Sequence, residues 1–211
     1  MNNQHIYCNN IILLLDNKNN DNYLEFNKIL ERNNFIVSIF YEDDFKNEVL
    51  NDTLNNLKDF CLISFTNTKE THDYILNTFK NKIIKRVYCG FNHNIIDINI
   101  PTLILYGDED KKYSSNKIAY KTFLKFKNNQ NYKFICYPLH NHLVHLTKNN
   151  NCLDDEFIED LLLFLNENKV KPKLAIFSEN HLPFLNGVNI LTDLLKKELE
   201  IMKIENHILQ I

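Results

Sequence analysis

Glycine is nearly absent from this chain: Gly90, Gly107 and Gly187 are the only three among 211 residues. Asparagine abounds instead, and it is the residue besides glycine that best tolerates positive φ, so it can make turns. It cannot supply the missing Cβ that lets a ligand press against the backbone. Long apolar runs are also lacking. Residues 11–15 and 161–165 are among the longest, and both fall far short of a bilayer span. The first residues, Met1-Asn2-Asn3-Gln4-His5, lack the basic stretch and apolar core of a secretory signal. Neither sign of charge dominates, with 24 Lys and Arg against 27 Asp and Glu and a net charge of −3. That excludes the basic footprint of a nucleic-acid binder. No Cys-x-x-Cys spacing occurs among Cys8, Cys61, Cys89, Cys136 and Cys152, and their odd number argues against a disulfide framework. Three of them lie inside apolar stretches, where a reduced thiol acts as a small hydrophobe. A reducing compartment, the cytoplasm, is the expectation.

What is present suffices for a core. Hydrophobic residues make up 44% of the chain, which excludes global disorder. Short apolar runs alternate with helix-spaced stretches. Strands are expected at 11–15, 35–40, 60–65, 83–89, 102–106 and 133–137. Tyr23, Phe26, Ile29 and Leu30 mark a first helix, ended by Asn33-Asn34, and Val49, Leu50, Leu54 and Leu57 mark a second. Tyr74, Ile75 and Phe79 mark a third, Ile118, Phe123 and Phe126 a fourth. A closing helix runs over 155–165, with Asp154 or Asp155 as its cap. Continuous apolar strands, each followed by a helix, imply a parallel sheet covered on both faces. The right-handed crossover rule then predicts an α/β fold with a doubly wound, mostly parallel sheet in a three-layer sandwich.

In such sheets chemistry gathers at the carboxyl ends of the strands. Those ends carry Asp16, then Ser64-Phe65-Thr66-Asn67-Thr68, then Gly107-Asp108-Glu109-Asp110, then His140-Asn141-His142. A hydroxyl, a carboxylate and an imidazole in that order can form a nucleophile, an orienting acid and a base. Blander roles stand beside this one. Acidic turns are often solvated caps, strand-end hydroxyls commonly bond the backbone, and His140, His142 and His145 can be partly exposed surface. No cysteine or paired carboxylate stands at ligand spacing from these histidines, so no metal is expected. No cofactor is expected either.

The stretch Asn99-Ile100-Pro101-Thr102-Leu103-Ile104-Leu105-Tyr106-Gly107-Asp108-Glu109-Asp110 resembles the α/β-hydrolase family, in which a proline-led strand ends in Gly-x-x-Asp. Tyr137-Pro138-Leu139-His140-Asn141-His142 and the closing helix resemble that family's last strand, histidine loop and final helix. The resemblance spans about residues 10–166. It implies that Asp110 orients the base, that His142 is the base, and that the nucleophile position falls at Thr66. The family's Gly-x-Ser-x-Gly elbow here reads Ser64-Phe65-Thr66-Asn67-Thr68. Both glycines have gained a Cβ in a turn that needs small neighbours. A threonine is also a more crowded nucleophile than serine. Ser64 is a second candidate nucleophile at the first glycine position. Asp16-Asn17, in the oxyanion region, places a carboxylate where donors are wanted. The resemblance therefore implies a domain weak or inactive as an esterase, acting if at all on a small ester or sugar-linked substrate. A non-catalytic accessory domain is the alternative.

Polar residues near 166–172 and Pro172 predict a boundary, dividing the chain into 1–169 and 170–211. Beyond it come a strand at 174–177, a loop containing Pro183-Phe184-Leu185-Asn186-Gly187-Val188, a helix over 190–202, and an apolar end at 208–211. This resembles the opening of family 4 glycosyltransferases, which begins with a basic residue, a strand and a Pro-x-x-Asn-Gly-Val loop. The likeness implies an incomplete Rossmann-like β-α-β tail, with Gly187 where backbone meets a phosphate-bearing ligand at a helix N-terminus. An ordinary Asn-Gly turn is the alternative. The tail is expected to be too short to transfer sugar alone, and the chain to be the N-terminal piece of such an enzyme or a domain joined to its beginning. Oligomeric state is left open.

Overall fold

The computed structural model describes residues 8–15, 21–41, 48–65, 69–90, 95, 97, 99–107, 115–137, 140, 153–167, 173–178 and 205–210. Within them, strands β1 (Asn10–Leu15), β2 (Ile36–Tyr41), β3 (Phe60–Phe65), β4 (Ile83–Cys89), β5 (Thr102–Gly107) and β6 (Tyr132–Tyr137) form one sheet. Its order is β2-β1-β3-β4-β5-β6, and every pair is parallel. Each strand lies within a residue or two of its sequence-based position. The doubly wound, three-layer α/β architecture is the one observed.

Among the described residues five α-helices cover the sheet: α1 (Asp21–Arg32), α2 (Glu48–Asn56), α3 (Lys69–Phe79), α4 (Ser115–Phe126) and α5 (Asp155–Glu167). The chain first steps outward from β1 to β2, then returns past β1 and runs the other way to β6. Right-handed crossovers in opposite directions put the intervening helices on opposite faces. Thus α1 and α5 share a core with Ile11, Leu13, Ile63, Val87, Leu103 and Ile135. The neighbouring strand residues, pointing the other way, pack under α2, α3 and α4. The reversal falls between β1 and β3, and open α/β sheets bind their ligands at such a switch point.

Asparagine does replace glycine at one helix end. Asn34 has φ 67°, the left-handed conformation. Around it Phe35 N–H donates to Leu30 O at 3.2 Å and Asn34 N–H to Glu31 O at 3.0 Å, closing α1 with a Schellman motif. Gly90, just after β4, has φ 63° and donates its N–H to Leu105 O at 2.8 Å.

Strands β7 (Lys173–Ser178) and β8 (Glu205–Gln210) form a separate two-stranded parallel sheet. The expected helix at 190–202 and Gly187 lie outside the described residues. No helix among the described residues is long and apolar enough to cross a membrane.

Candidate active site

The carboxyl ends of β3, β5 and β6 lie along one edge of the parallel sheet, at Phe65, Gly107 and Tyr137. Thr66, Asp110 and His142 follow those ends in sequence but lie outside the described residues, as do Asp16, Asn17, Asp108, Glu109 and His145. The structure describes the strand ends themselves and the side chains packed under them.

Under the β3 end, Ser64 Oγ and His72 Nδ1 lie 2.5 Å apart, with the two residues 0% and 1% exposed. Ser64 is thus the hydroxyl of a sealed serine–histidine pair between β3 and α3. Burial depresses the His72 pKa to about 3, and the nearby Arg86 charge adds to the effect. The ring is therefore neutral at ordinary pH. Neutrality suits a base, but a substrate carbonyl has no route to a hydroxyl without exposed surface. Ser64 is committed to that buried pair.

The pair belongs to a longer polar seam that follows the strand register. Ser64 stands beside Tyr88 in one cross-strand row, and Arg86, Thr102 and Tyr132 stand in another. Arg86 is fully buried. Its Nε donates to Thr102 Oγ1 at 2.7 Å, Nη1 to the Tyr88 hydroxyl at 3.0 Å and Nη2 to the Tyr132 hydroxyl at 2.6 Å. Tyr132 in turn donates to Asp97 Oδ1 at 3.1 Å. The His72 ring lies 4.6 Å from that of Tyr88, whose own pKa is pushed up by burial. Such a guanidinium is held by several short bonds because a buried charge left unsolvated would cost several kcal/mol.

At the β6 end, His140 is 2% exposed, and its Nε2 lies 2.9 Å from Asp154 Oδ2. That corrects the surface reading of His140. Asp154 also caps α5, accepting Glu156 N–H on Oδ1 at 3.3 Å. One carboxylate therefore starts the helix and holds the imidazole. Nearby, the Tyr137 hydroxyl donates to Asp160 Oδ2 at 2.8 Å, and burial with that neighbouring carboxylate raises its pKa. Among the described residues no three His, Cys, Asp or Glu side chains converge as metal ligands would. Cys8, Cys61, Cys89 and Cys136 are all buried free thiols.

His72, Arg86 and the Asp154 pairing were missed in the sequence. Asp154 alone had a local signal, its position before an amphipathic helix.

The overall fold is shared with solved structures. The chain is similar to a predicted CIB-like hydrolase from Thermoplasma acidophilum, with TM-score 0.54 and 13% identity over 79% of this chain and 89% of that one. It is similar to a serine hydrolase involved in carbazole degradation, the CarC enzyme, with TM-score 0.53 and 11% identity over 77% and 92% of the two chains. Est1E from Butyrivibrio proteoclasticus gives TM-score 0.52 and 12% identity over 76% and 86%. The chain has the α/β-hydrolase fold. No family model matches the sequence, and comparison with curated proteins gave no match. At such identities the α/β-hydrolase fold is shared, while the chemistry must be argued from the site.

Proposed function

We propose that residues 1–169 form an α/β-hydrolase-like domain, weak or inactive as an esterase, with Thr66 as nucleophile, His142 as base and Asp110 orienting the base. One observation carries this reading. The carboxyl ends of β3, β5 and β6, the strands that precede these three residues in the chain, share one edge of the sheet, and β3 borders the switch point. In the proposed reaction Thr66 Oγ1 adds to an ester carbonyl carbon while His142 takes its proton. The alkoxide leaves with that proton. Water, deprotonated at His142, then cleaves the acyl-threonine. A branched nucleophile in a turn without glycine slows the first addition, which is why low turnover is proposed.

The test is hydrolysis of a short activated ester, p-nitrophenyl acetate, by the wild-type chain and by Thr66→Ala. Turnover above buffer that is lost in Thr66→Ala supports the catalytic reading. Rates equal to buffer in both remove it and leave a non-catalytic accessory domain. The buried Ser64–His72 pair gives that second reading some weight, since it commits a hydroxyl and an imidazole at the β3 end to internal structure.

Residues 170–211 we read as the start of a glycosyltransferase-like Rossmann unit with Gly187 in its ligand loop. Support comes from the parallel pairing of β7 with β8, since parallel neighbours need a crossover connection. Sequencing the coding DNA past Ile211 tests it: a continuing frame with a second Rossmann-like half is expected, and an immediate stop removes the proposal.

A further inference from the structure

A cavity of about 150 Å³ lies between α4 and the β5–β6 side of the sheet, lined by Ile104, Thr122, Phe123, Phe126, Tyr132 and Phe134, with Lys127 at its rim. Tyr132 and Phe134 belong to the first half of β6, so the cavity sits toward the amino ends of the strands, away from their carboxyl edge. Its walls are two aromatic pairs. Phe126 stacks on Tyr132 with centroids 4.0 Å apart and planes 4° apart. Phe123 meets Phe134 edge-on at 5.8 Å.

The polar groups around this space divide into engaged and available. Tyr132 holds Arg86 and Asp97, and the Lys125 ammonium donates to Ile95 O at 2.7 Å. Lys127 is exposed and is the only charged side chain in the lining among the described residues. Thr122 Oγ1, 3.4 Å from the Tyr106 hydroxyl, adds a second polar point.

We propose that this cavity binds a single aromatic ring bearing a carboxylate. A void of about 150 Å³ has room for a benzene ring, and this one combines aromatic walls with the polar groups of Thr122, Tyr132 and Lys127. Aromatic walls favour a flat partner through offset and edge contacts. The carboxylate faces the Lys127 ammonium at the mouth. The carbonyl end of α4 opposes an anion with about half a charge, less than the full charge of Lys127, so the balance favours the anion. This inference does not rest on esterase activity.

The experiment is NMR titration of the full-length chain with 4-fluorobenzoate and, separately, fluorobenzene. Expected are shifts confined to residues 104, 122–127 and 132–134, with 4-fluorobenzoate the tighter probe. Lys127→Gln, a surface change, should weaken 4-fluorobenzoate about threefold, the scale of an exposed ion pair, and leave fluorobenzene unchanged. Thr122→Met, which fills the space, should weaken both. Shifts located instead at the carboxyl ends of the strands, no shifts at all, or equal affinity for the two probes in the wild type would overturn the proposal.

Discussion

The two faces of the sheet are built differently. Under α1 and α5 one apolar cluster runs without interruption from Leu13 to Tyr137. Its buried polar groups sit at helix contacts: Lys85 donates to Phe164 O and Leu165 O at the end of α5, at 3.0 and 2.6 Å, and Asp160 takes the Tyr137 hydroxyl. Under α2, α3 and α4 the core is split in two, one cluster around Leu62 and Ile75 and another around Ile104 and Phe126. Where they meet lie Ser64, His72, Arg86 and Thr102, and the seam continues into the second cluster through Tyr88 and Tyr132. Apolar packing is non-directional and forgives substitution of like volume. A hydrogen-bonded seam is directional, and losing one member strands the others. The same strands therefore present a tolerant face and an exacting one.

The largest test compares matched substitutions across β4 and β5. Arg86→Met keeps much of the volume but leaves the Tyr88 and Tyr132 hydroxyls short of a donor. It should cost about 3 kcal/mol. Leu103→Met, on the apolar face, should cost less than about 1.5 kcal/mol. Urea unfolding measures both, and equal losses would erase the distinction.

That asymmetry explains which features could be read from the sequence. The strands were legible because burial on both faces makes their apolar runs continuous, as in residues 11–15 and 60–65. The first helix was legible because Tyr23, Phe26 and Leu30 recur at helical spacing. The seam was not. Lys85-Arg86 in the middle of β4 has the composition of an exposed stretch, and His72 lies among Lys69, Glu70, Thr71 and Asp73, where polarity usually means solvent. Only the cross-strand register, which sets Arg86 beside Thr102 and Thr102 beside Tyr132, turns those residues inward as a satisfied network. For the candidate site, the sequence indicated which strand ends to inspect, and the sheet order put those ends on one edge. The support beneath them is tertiary and left no pattern in the sequence.

A second test uses acid. His72 has an ordinary pKa of 6.5 and a folded one of about 3, lowered first by burial and then by Arg86. The unfolded chain binds a proton below 6.5 that the folded chain refuses. The stability linked to this group is therefore complete above about pH 6.5 and is lost progressively as pH falls toward about 3, by a few kcal/mol in total. His72→Gln removes the titration while keeping an amide beside Ser64. The wild type should lose stability faster than this variant between pH 6.5 and 4, a difference read from urea midpoints at each pH. Parallel curves would mean that the seam does not discriminate against a charged imidazole.

The smallest effect belongs to the tolerant face and sharpens the contrast from the other side. Helix α1 is closed by backbone geometry, with Asn34 at φ 67° and Leu30 and Phe35 both buried in the adjoining cluster. An L-residue with a full Cβ and no polar side chain fits the left-handed region poorly, by about 1 kcal/mol. Asn34→Ala should therefore cost about that much, and Asn34→Gly should be neutral or stabilise by a few tenths of a kcal/mol. Helix α3, across the sheet, owes its seat partly to a side-chain bond that no backbone rule can replace. If Asn34→Ala lowers the unfolding midpoint as much as Arg86→Met does, the helix ends of the apolar face are as exacting as the seam, and the difference between the faces lies in their chemistry alone.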